Sequence, residues 1–222
     1  MNTIEISPSY SVTTHPNIVH FIEAIKQYTT INDVKWCLSD TPSVIDGNIH
    51  CSGYFIDHPT PKLAVACRKP VIDWVKVLVH EACHMDQYLS NAAVWKAIYV
   101  TPTIDTTGLI DLWIDNKIEL SQEQLSHYIK VIQDVEMDCE KRAVDVIKRF
   151  KIPFIDIDEY IQQANAYVWF YLYVKNHRKW YTVGKEPYNN EKIWRAMPTT
   201  FIDDYGHFPT EVEWVYTREM SR

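Results

Sequence analysis

The order of local patterns along the chain predicts an α+β fold. One helical segment is followed by three short strand-like runs, a second helix, a less regular stretch, and then a long helix and an aromatic-rich one. The 222 residues can bury a sizeable core, and the hydrophobic (46%) and charged (23%) fractions are typical of a folded globular protein. No linker or repeat is visible. We therefore predict one domain over residues 1–222, with a core at about 16–150 and a C-terminal helix and wrapping segment over 151–222.

Charge and composition restrict the environment and the partners. The net charge of −7 disfavours binding to nucleic acid or to anionic membranes, which requires a basic surface. The apolar stretch AYVWFYLYV at 166–174 is too short to span a bilayer. The opening residues MNTIEISPSYSVTTHP lack a basic region followed by an apolar run, so we expect no secretory signal. Five cysteines without a CxxC pair fit reduced thiols in the cytoplasm.

The first elements are an amphipathic helix and three strands. Residues 16–29 carry apolar side chains at helical spacing and begin with a proline, which suits a first helical turn. Short runs rich in β-branched and aromatic residues follow at 34–38, 49–56 and 62–68. The segments between them contain Pro, Asp, Asn and Gly, so we predict strands joined by turns.

A second helix follows the strands. It opens at Pro70, and nothing interrupts its apolar pattern until about Ser90. Residues 91–120 are less regular because Pro102 and Gly108 interrupt them, and this stretch predicts an inserted loop.

The remaining sequence predicts two more helices. Ser121 and Gln124 have the spacing of a capping box, and the helix they begin runs to about Phe150. A further helix at 159–176 is capped by one of two aspartates, Asp156 or Asp158. It is rich in aromatic residues, which we interpret as packing in the core. Residues 177–222 are expected to be mostly irregular.

The second helix carries the sequence His80-Glu81-Ala82-Cys83-His84. Positions four apart lie on one face of a helix, so His80 and His84 can direct two imidazoles at one point in space. Glu81 is about 100° round from His80 and can reach a water bound at that point. This H-E-x-x-H arrangement supplies two zinc ligands and a general base.

A third ligand is expected on the long helix. Glu136 and Glu140 lie four apart within its apolar stripe, whereas Asp134 and Asp138 point to the other side. Burying two carboxylates in an apolar face is unfavourable unless positive charge compensates them, and zinc would supply that charge. The stripe consists of Ile132, Val135, Cys139, Ala143, Val146, Ile147 and Phe150.

The two motifs together resemble those of the gluzincin branch of the zincin metallopeptidases. H-E-x-x-H followed by Glu136-x-x-Cys139-Glu140-x-x-Ala143 is similar to the H-E-x-x-H and E-x-x-A-D-x-x-A pair of HtpX-type peptidases. It is similar, more loosely, to the ImmA/IrrE-type peptidases of mobile elements. The resemblance covers roughly residues 16–150 and implies a zincin-like minimal core, with a three-stranded or larger sheet packed on the H-E-x-x-H helix and a glutamate helix.

By this resemblance, the site holds Zn²⁺ through three protein ligands. Glu81 is the implied base, and Glu140 would orient a ligand histidine by accepting its other N–H. An alternative register makes Glu140 the ligand instead; we prefer the first register because it retains an acidic residue behind the ligands. A metzincin-type third ligand would fall at Ser90, and His127 is most simply an exposed histidine. The implied ligands are His80, His84 and Glu136.

The function implied by the resemblance is hydrolysis of peptide bonds in a protein substrate. Glu81 would take a proton as zinc-activated water attacks the carbonyl, and pass it to the leaving nitrogen. The run at 62–68 is expected to be an edge strand that pairs with the substrate main chain. Four polar-tipped residues after the glutamate helix are candidate oxyanion donors: Tyr167, Tyr171, His177 and Tyr181.

Two other functions stay open on the sequence alone. One is a zincin-like regulatory or binding protein with a structural zinc site, and the other is a helical interaction protein without metal. Retention of Glu81 favours the peptidase, because a purely structural site needs no base. A loose resemblance to small zincin-like proteins of bacteriophages is compatible with each. The oligomeric state is left open.

Overall fold

A computed structural model describes residues 15–47, 49–102, 104–182 and 184–220 of the chain. Helices and small sheets make the fold α+β, as predicted. The chain divides into two compact units, Met1–Ala92 with Arg142–Ile155 and Ala93–Lys141 with Asp156–Arg222. The sequence predicts one domain, with a division between core and wrap near residue 150.

The first unit contains two helices and a three-stranded sheet. Within the sheet, the first strand runs parallel to the central one, and the third runs antiparallel to it. The helices are α1 (Pro16–Ile31) and α2 (Val71–Leu89), and the strands in sheet order are β1 (Lys35–Ser39), β5 (Lys62–Ala66) and β4 (Gly53–Ile56).

The strand order overturns one prediction from the sequence. The run at 62–68 forms β5, which pairs with β1 on one side and β4 on the other, so the prediction that this run is an edge strand is wrong. Both rows of its main-chain hydrogen-bonding groups face neighbouring strands. Among the described strands of this sheet, β1 and β4 form the two edges.

The predicted strand at 49–56 is two strands. Its first part, β3 (Ile49–Cys51), pairs antiparallel with β2 (Val44–Asp46) in a separate hairpin, and its second part is β4. Gly47 adopts φ of +56° in the turn of this hairpin, in the left-handed region that glycine enters without steric penalty.

Helix α2 packs on β4 and β5. A close approach is required at Gly53, because a Cβ there would lie only 2.6 Å from Cγ1 of Val77. Trp74 and Leu78 on the same helix are almost completely buried. The sheet therefore fixes which side of α2 faces the core.

The second unit is helical and richly aromatic. Trp169, Phe170, Tyr173 and Tyr216 are buried in its core, which confirms that the aromatic residues after 160 serve packing. Its elements outside the long helix are α3 (Ala93–Ala97), β6 (Tyr99–Thr101), β7 (Ile104–Asp105), α4 (Thr106–Ile114), α6 (Ile157–His177), a 3₁₀ turn (Pro187–Asn189), α7 (Glu191–Trp194) and α8 (Thr210–Met220).

Two stretches are more ordered than the sequence predicts. The segment 91–120 is not a loop, because it contains α3, the β6–β7 hairpin and α4. The segment 177–222 contains α7 and α8 between irregular parts. The start of α4 has a clear cause: the side chain of Asp105 accepts a 2.6 Å hydrogen bond from the N–H of Gly108.

The long helix α5 spans Gln122–Phe150 and contributes residues to both units. The predicted capping box is confirmed: Gln124 N–H donates to Ser121 Oγ at 3.1 Å, and Ser121 N–H donates to Gln124 Oε1 at 3.0 Å. Asp156 caps α6 by accepting from the N–H of Glu159 at 2.9 Å. None of the helices in the described part of the chain has both the length and the apolarity needed to cross a membrane.

Candidate metal site

Helix α2 brings the two histidines of the H-E-x-x-H sequence together. The Nε2 atoms of His80 and His84 lie 3.1 Å apart, and the two rings meet edge to face with centroids separated by 4.7 Å. Two nitrogens bound to one tetrahedral zinc ion lie about 3.3 Å apart, given Zn–N bonds of about 2.0–2.1 Å. The pair therefore has the separation that a shared metal ion requires, as the spacing in the sequence predicts.

A buried amide orients the second histidine. Nδ1 of His84 lies 2.8 Å from Oε1 of Gln87, which has no exposed surface. Because an amide oxygen can only accept, Nδ1 carries the proton and Nε2 keeps its lone pair for a ligand. Gln87 was not predicted from the sequence, although its position three residues after His84 on a predicted helix places both on one face.

Glu81 is held by the neighbouring edge strand. The N–H of Phe55 on β4 donates to Oε2 of Glu81 at 2.9 Å. The step from Val77 to Glu81 is one helical turn of about 6 Å, and the step from Gly53 to Phe55 is two strand residues, about 6.7 Å. The close contact at Gly53 thus brings Phe55 level with Glu81, and the carboxylate has a defined orientation.

The charge of Glu81 also acts on a nearby thiol. Burial raises the pKa of Cys51, and the carboxylates of Glu81 and Asp46 raise it further, against smaller opposing effects of the Gly53 N–H and Lys69. Cys51 therefore remains a neutral thiol at neutral pH, and it does not supply a cysteine nucleophile beside Glu81.

Helix α2 is anchored two residues beyond His84. Arg142 Nη1 donates to Asp86 Oδ2 at 2.5 Å, and the hydroxyl of Tyr28 donates to Asp86 Oδ1 at 3.2 Å. These bonds connect α1, α2 and the end of α5 within the first unit. They oppose rotation of α2, which would turn the histidine pair away.

His80 and His84 belong to a group of donor residues that could hold a metal ion, and both histidines are half-buried. Imidazole nitrogen is a donor that zinc prefers, so the pair fits the metal expected from the sequence.

Glu136 is buried, as predicted, and is bound by two tyrosines of α6. The hydroxyls of Tyr167 and Tyr171 lie 2.9 Å apart, and each donates to Oε1 of Glu136 at 3.3 Å. Burial, reinforced by the Glu136 charge, raises the pKa of both tyrosines well above 10, so both hydroxyls stay protonated at neutral pH. The assignment of Glu136 as a zinc ligand stays a prediction.

Glu140 is bound in the same way one turn further along α5. It is buried, and the hydroxyl of Tyr160 donates to its Oε2 at 2.7 Å. Asp134 is exposed and Asp138 is half-buried, which agrees with their predicted position outside the stripe. The proposed action of Glu140 on a ligand histidine stays a prediction.

The other two candidate oxyanion donors lie at and just beyond the end of α6. His177 is exposed, its Nδ1 lies 3.0 Å from the carbonyl of Tyr173, and its ring stacks on that tyrosine. The ring of Tyr181 packs against Phe170 with centroids 5.1 Å apart. The oxyanion role predicted for these residues, and for the two tyrosines on Glu136, is untested.

Comparison of the chain with protein-family models, with curated proteins and with solved structures finds no match. The resemblance to gluzincins therefore rests on the motif residues and on the geometry of the histidine pair.

Proposed function

We propose that this protein is a zinc-dependent metallopeptidase that hydrolyses peptide bonds of a protein substrate. The observation that carries the proposal is the His80–His84 pair, whose Nε2 atoms lie 3.1 Å apart beside the oriented carboxylate of Glu81. Two convergent imidazoles and one adjacent carboxylate are the minimum that H-E-x-x-H chemistry needs. The five cysteines form no disulfide with one another, which fits the reducing cytoplasm as the place of action.

Each residue of α2 has a defined role in this proposal. Zinc, when bound, lowers the pKa of water and polarises the peptide carbonyl. Glu81 takes the proton of the attacking water and delivers it to the leaving nitrogen. Phe55 fixes the carboxylate through its N–H, and Gln87 keeps the proton of His84 on Nδ1.

The substrate main chain would pair with β4. Central strand β5 has no open edge, whereas β4 is an edge of the sheet and contacts Glu81 directly. An extended peptide added to β4 would bring its carbonyl groups beside the general base. This replaces the run at 62–68 as the strand on which the substrate is expected to dock.

One observation favours a second candidate, a zincin-like binding or regulatory protein with structural zinc. Oε2 of Glu81 already accepts a main-chain hydrogen bond from Phe55, a contact that holds α2 against the sheet. In that case Glu81 would serve only to attach α2 to β4 through Phe55.

The variant Glu81→Gln separates the two candidates. An amide cannot act as a base, so hydrolysis should fall by about 10²–10⁴-fold or more, while the fold and zinc content are kept. Whole-cell lysate would be incubated with wild type, with Glu81→Gln, and with Glu123→Gln, an exposed glutamate of α5, as the matched control. New N-termini would then be counted by mass spectrometry.

New N-termini that form with wild type and with Glu123→Gln, but not with Glu81→Gln, support the peptidase. Identical termini for wild type and Glu81→Gln, with biological activity retained by Glu81→Gln in cells, would contradict the peptidase and favour the structural zinc protein.

A further inference from the structure

We propose that the segment of substrate that docks on β4 is acidic, with carboxylate side chains at two positions that lie two residues apart. Lys62 and Lys69 would bind these carboxylates on the face of β4 that points away from α2. The inference deepens the proposed function and rests on it in taking β4 as the strand on which the substrate docks. All the residues that carry it belong to the first unit.

The two faces of β4 have different surroundings. The ladder between β4 and β5 continues to Ser52, whose carbonyl accepts a 2.9 Å hydrogen bond from a main-chain N–H at the end of β5. Side chains alternate along a strand, so Ser52 and Tyr54 share one face. Gly53 and Phe55 share the other face, which lies against α2. The face of Ser52 and Tyr54, called the outer face, therefore points away from that helix.

Two lysines each bond a hydroxyl on the outer face. Lys62 Nζ donates to the hydroxyl oxygen of Tyr54 at 2.6 Å and lies 5.2 Å from the centroid of its ring. Lys69 Nζ donates to Ser52 Oγ at 2.5 Å. The residues that carry the two hydroxyls are two apart, about 6.7 Å along the strand. A peptide paired with β4 has the same distance between its alternate side chains, so two of them can meet the two pairs.

Both lysines carry a positive charge that the neighbouring residues leave uncompensated. Among the described residues, neither ammonium forms an ion pair with a carboxylate. The hydrogen bond with Tyr54 raises the pKa of Lys62 against the opposing effect of burial, and Asp46 adds a smaller increase. Lys62 therefore stays charged at neutral pH.

The hydroxyls make each pair suitable for a carboxylate. A hydroxyl oxygen that accepts a hydrogen bond from an ammonium still has its own hydrogen to donate. Each pair thus offers one charged and one neutral donor, which suits the two oxygens of a carboxylate. The chain has a net charge of −7, so these two positive groups distinguish the outer face of β4 from a predominantly acidic protein.

Binding of two short labelled peptides to the wild-type protein tests the inference without measuring hydrolysis. One peptide alternates glutamate and valine, and the other alternates glutamine and valine. Fluorescence anisotropy should show that the glutamate peptide binds about 2–30-fold more tightly, as expected from two ion pairs at the surface. This preference should shrink at high salt. Mass spectrometry checks that the peptides stay intact, and any cleaved sample is repeated with Glu81→Gln.

Charge-removing variants identify the residues that bind the carboxylates. The double variant Lys62→Met/Lys69→Met keeps the apolar stems and should bind both peptides equally. The double variant Lys62→Arg/Lys69→Arg keeps the charges and should keep the preference. Lys26→Met, at an exposed lysine of α1, is the matched control and should behave as wild type. A preference that survives in the methionine variant would contradict the proposal.

The failure of this inference can be told apart from failure of the proposed function. Equal affinity of the wild type for the two peptides, or no binding of the glutamate peptide, would overturn the acidic docking face. Hydrolysis that depends on Glu81 could still be observed in that case. Preferential binding of the glutamate peptide by a protein that cleaves nothing would support the docking face and remove the peptidase. If a lysine variant does not fold, the comparison of the two peptides on the wild type still decides the question.

Discussion

Helix α2 carries one half-buried glutamate and α5 carries two buried ones, and different donors hold them. On α2, a main-chain N–H of an edge strand orients Glu81. On α5, tyrosine hydroxyls of α6 bind Glu136 and Glu140. The difference shows that a carboxylate in this fold can be oriented by the main chain of a strand or by side-chain hydroxyls of a neighbouring helix.

The hydrogen bonds on α5 add to the energetics expected from the sequence. Two carboxylates in an apolar stripe were expected to need zinc as a counter-charge. Three tyrosine hydroxyls of α6 also donate hydrogen bonds to them, and hydrogen bonds to an ionised group are stronger than those between neutral groups.

The largest effect is expected from removing a histidine of α2. His80→Ala should lose nearly all bound zinc, because a site with three protein ligands cannot spare one. His127→Ala, at an exposed histidine of α5, is the matched control and should keep the zinc. Elemental analysis of both proteins after dialysis measures the difference, and equal zinc contents would show that α2 does not carry the site.

The tyrosines of α6 test whether hydrogen bonds stabilise the buried Glu136. The double variant Tyr167→Phe/Tyr171→Phe leaves Oε1 of Glu136 without its two hydroxyl donors, so the free energy of unfolding should fall by about 3 kcal/mol. Tyr173→Phe, whose hydroxyl makes only a 3.5 Å contact to the carbonyl of Met220, should lose less than about 0.5 kcal/mol.

Urea denaturation of the metal-free proteins measures these changes without a contribution from zinc binding. A double variant as stable as Tyr173→Phe would mean that the tyrosines do not stabilise the glutamate. Zinc loss in the double variant, beyond any loss explained by unfolding, would support Glu136 as a ligand.

A smaller effect is expected at the contact between α2 and β4. Gly53→Ala places a Cβ 2.6 Å from the stiff side chain of Val77, and overpacking of this kind costs about 1–3 kcal/mol. Gly108→Ala, where a Cβ would be 3.4 Å from Asp105 Oδ1, is the control. Thermal unfolding compares the two, and equal stabilities would show that the close approach of β4 is not needed.

The smallest effect is expected at Cys67, a thiol that its burial protects from alkylation. Burial raises the pKa of Cys67 to about 12, with additional effects from Cys37 and Asp40. At pH 8 only about 10⁻⁴ of this thiol is ionised, so alkylation by iodoacetamide should be very slow in the folded protein and fast in urea. Alkylation of Cys67 that is equally fast in the folded protein and in urea would contradict this protection.

Local periodicity was enough to predict the parts of the site that lie on one helix. The separation of His80 and His84 follows from helical geometry, and the capping box at Ser121 and the buried stripe of α5 were also predicted correctly. The order of the strands was not predicted correctly. Strand β5 is central because it pairs with both β1 and β4, and local sequence patterns do not encode this pairing.

Contacts between helices were less predictable. The sequence does not reveal that Glu136 lies within reach of the hydroxyls of Tyr167 and Tyr171, and the oxyanion role predicted for these tyrosines is untested. Helix α4 was missed because Pro102 and Gly108 suggested a loop, although Asp105 caps a helix there.

The central claim is that α2 carries a zinc site, and its most direct test is the zinc content of the wild-type chain. Protein purified without chelators would be supplied with zinc, dialysed, and measured by elemental analysis against the concentration of chain. We expect one zinc per molecule, held through His80 and His84. Well under half an equivalent after zinc addition and dialysis would contradict it.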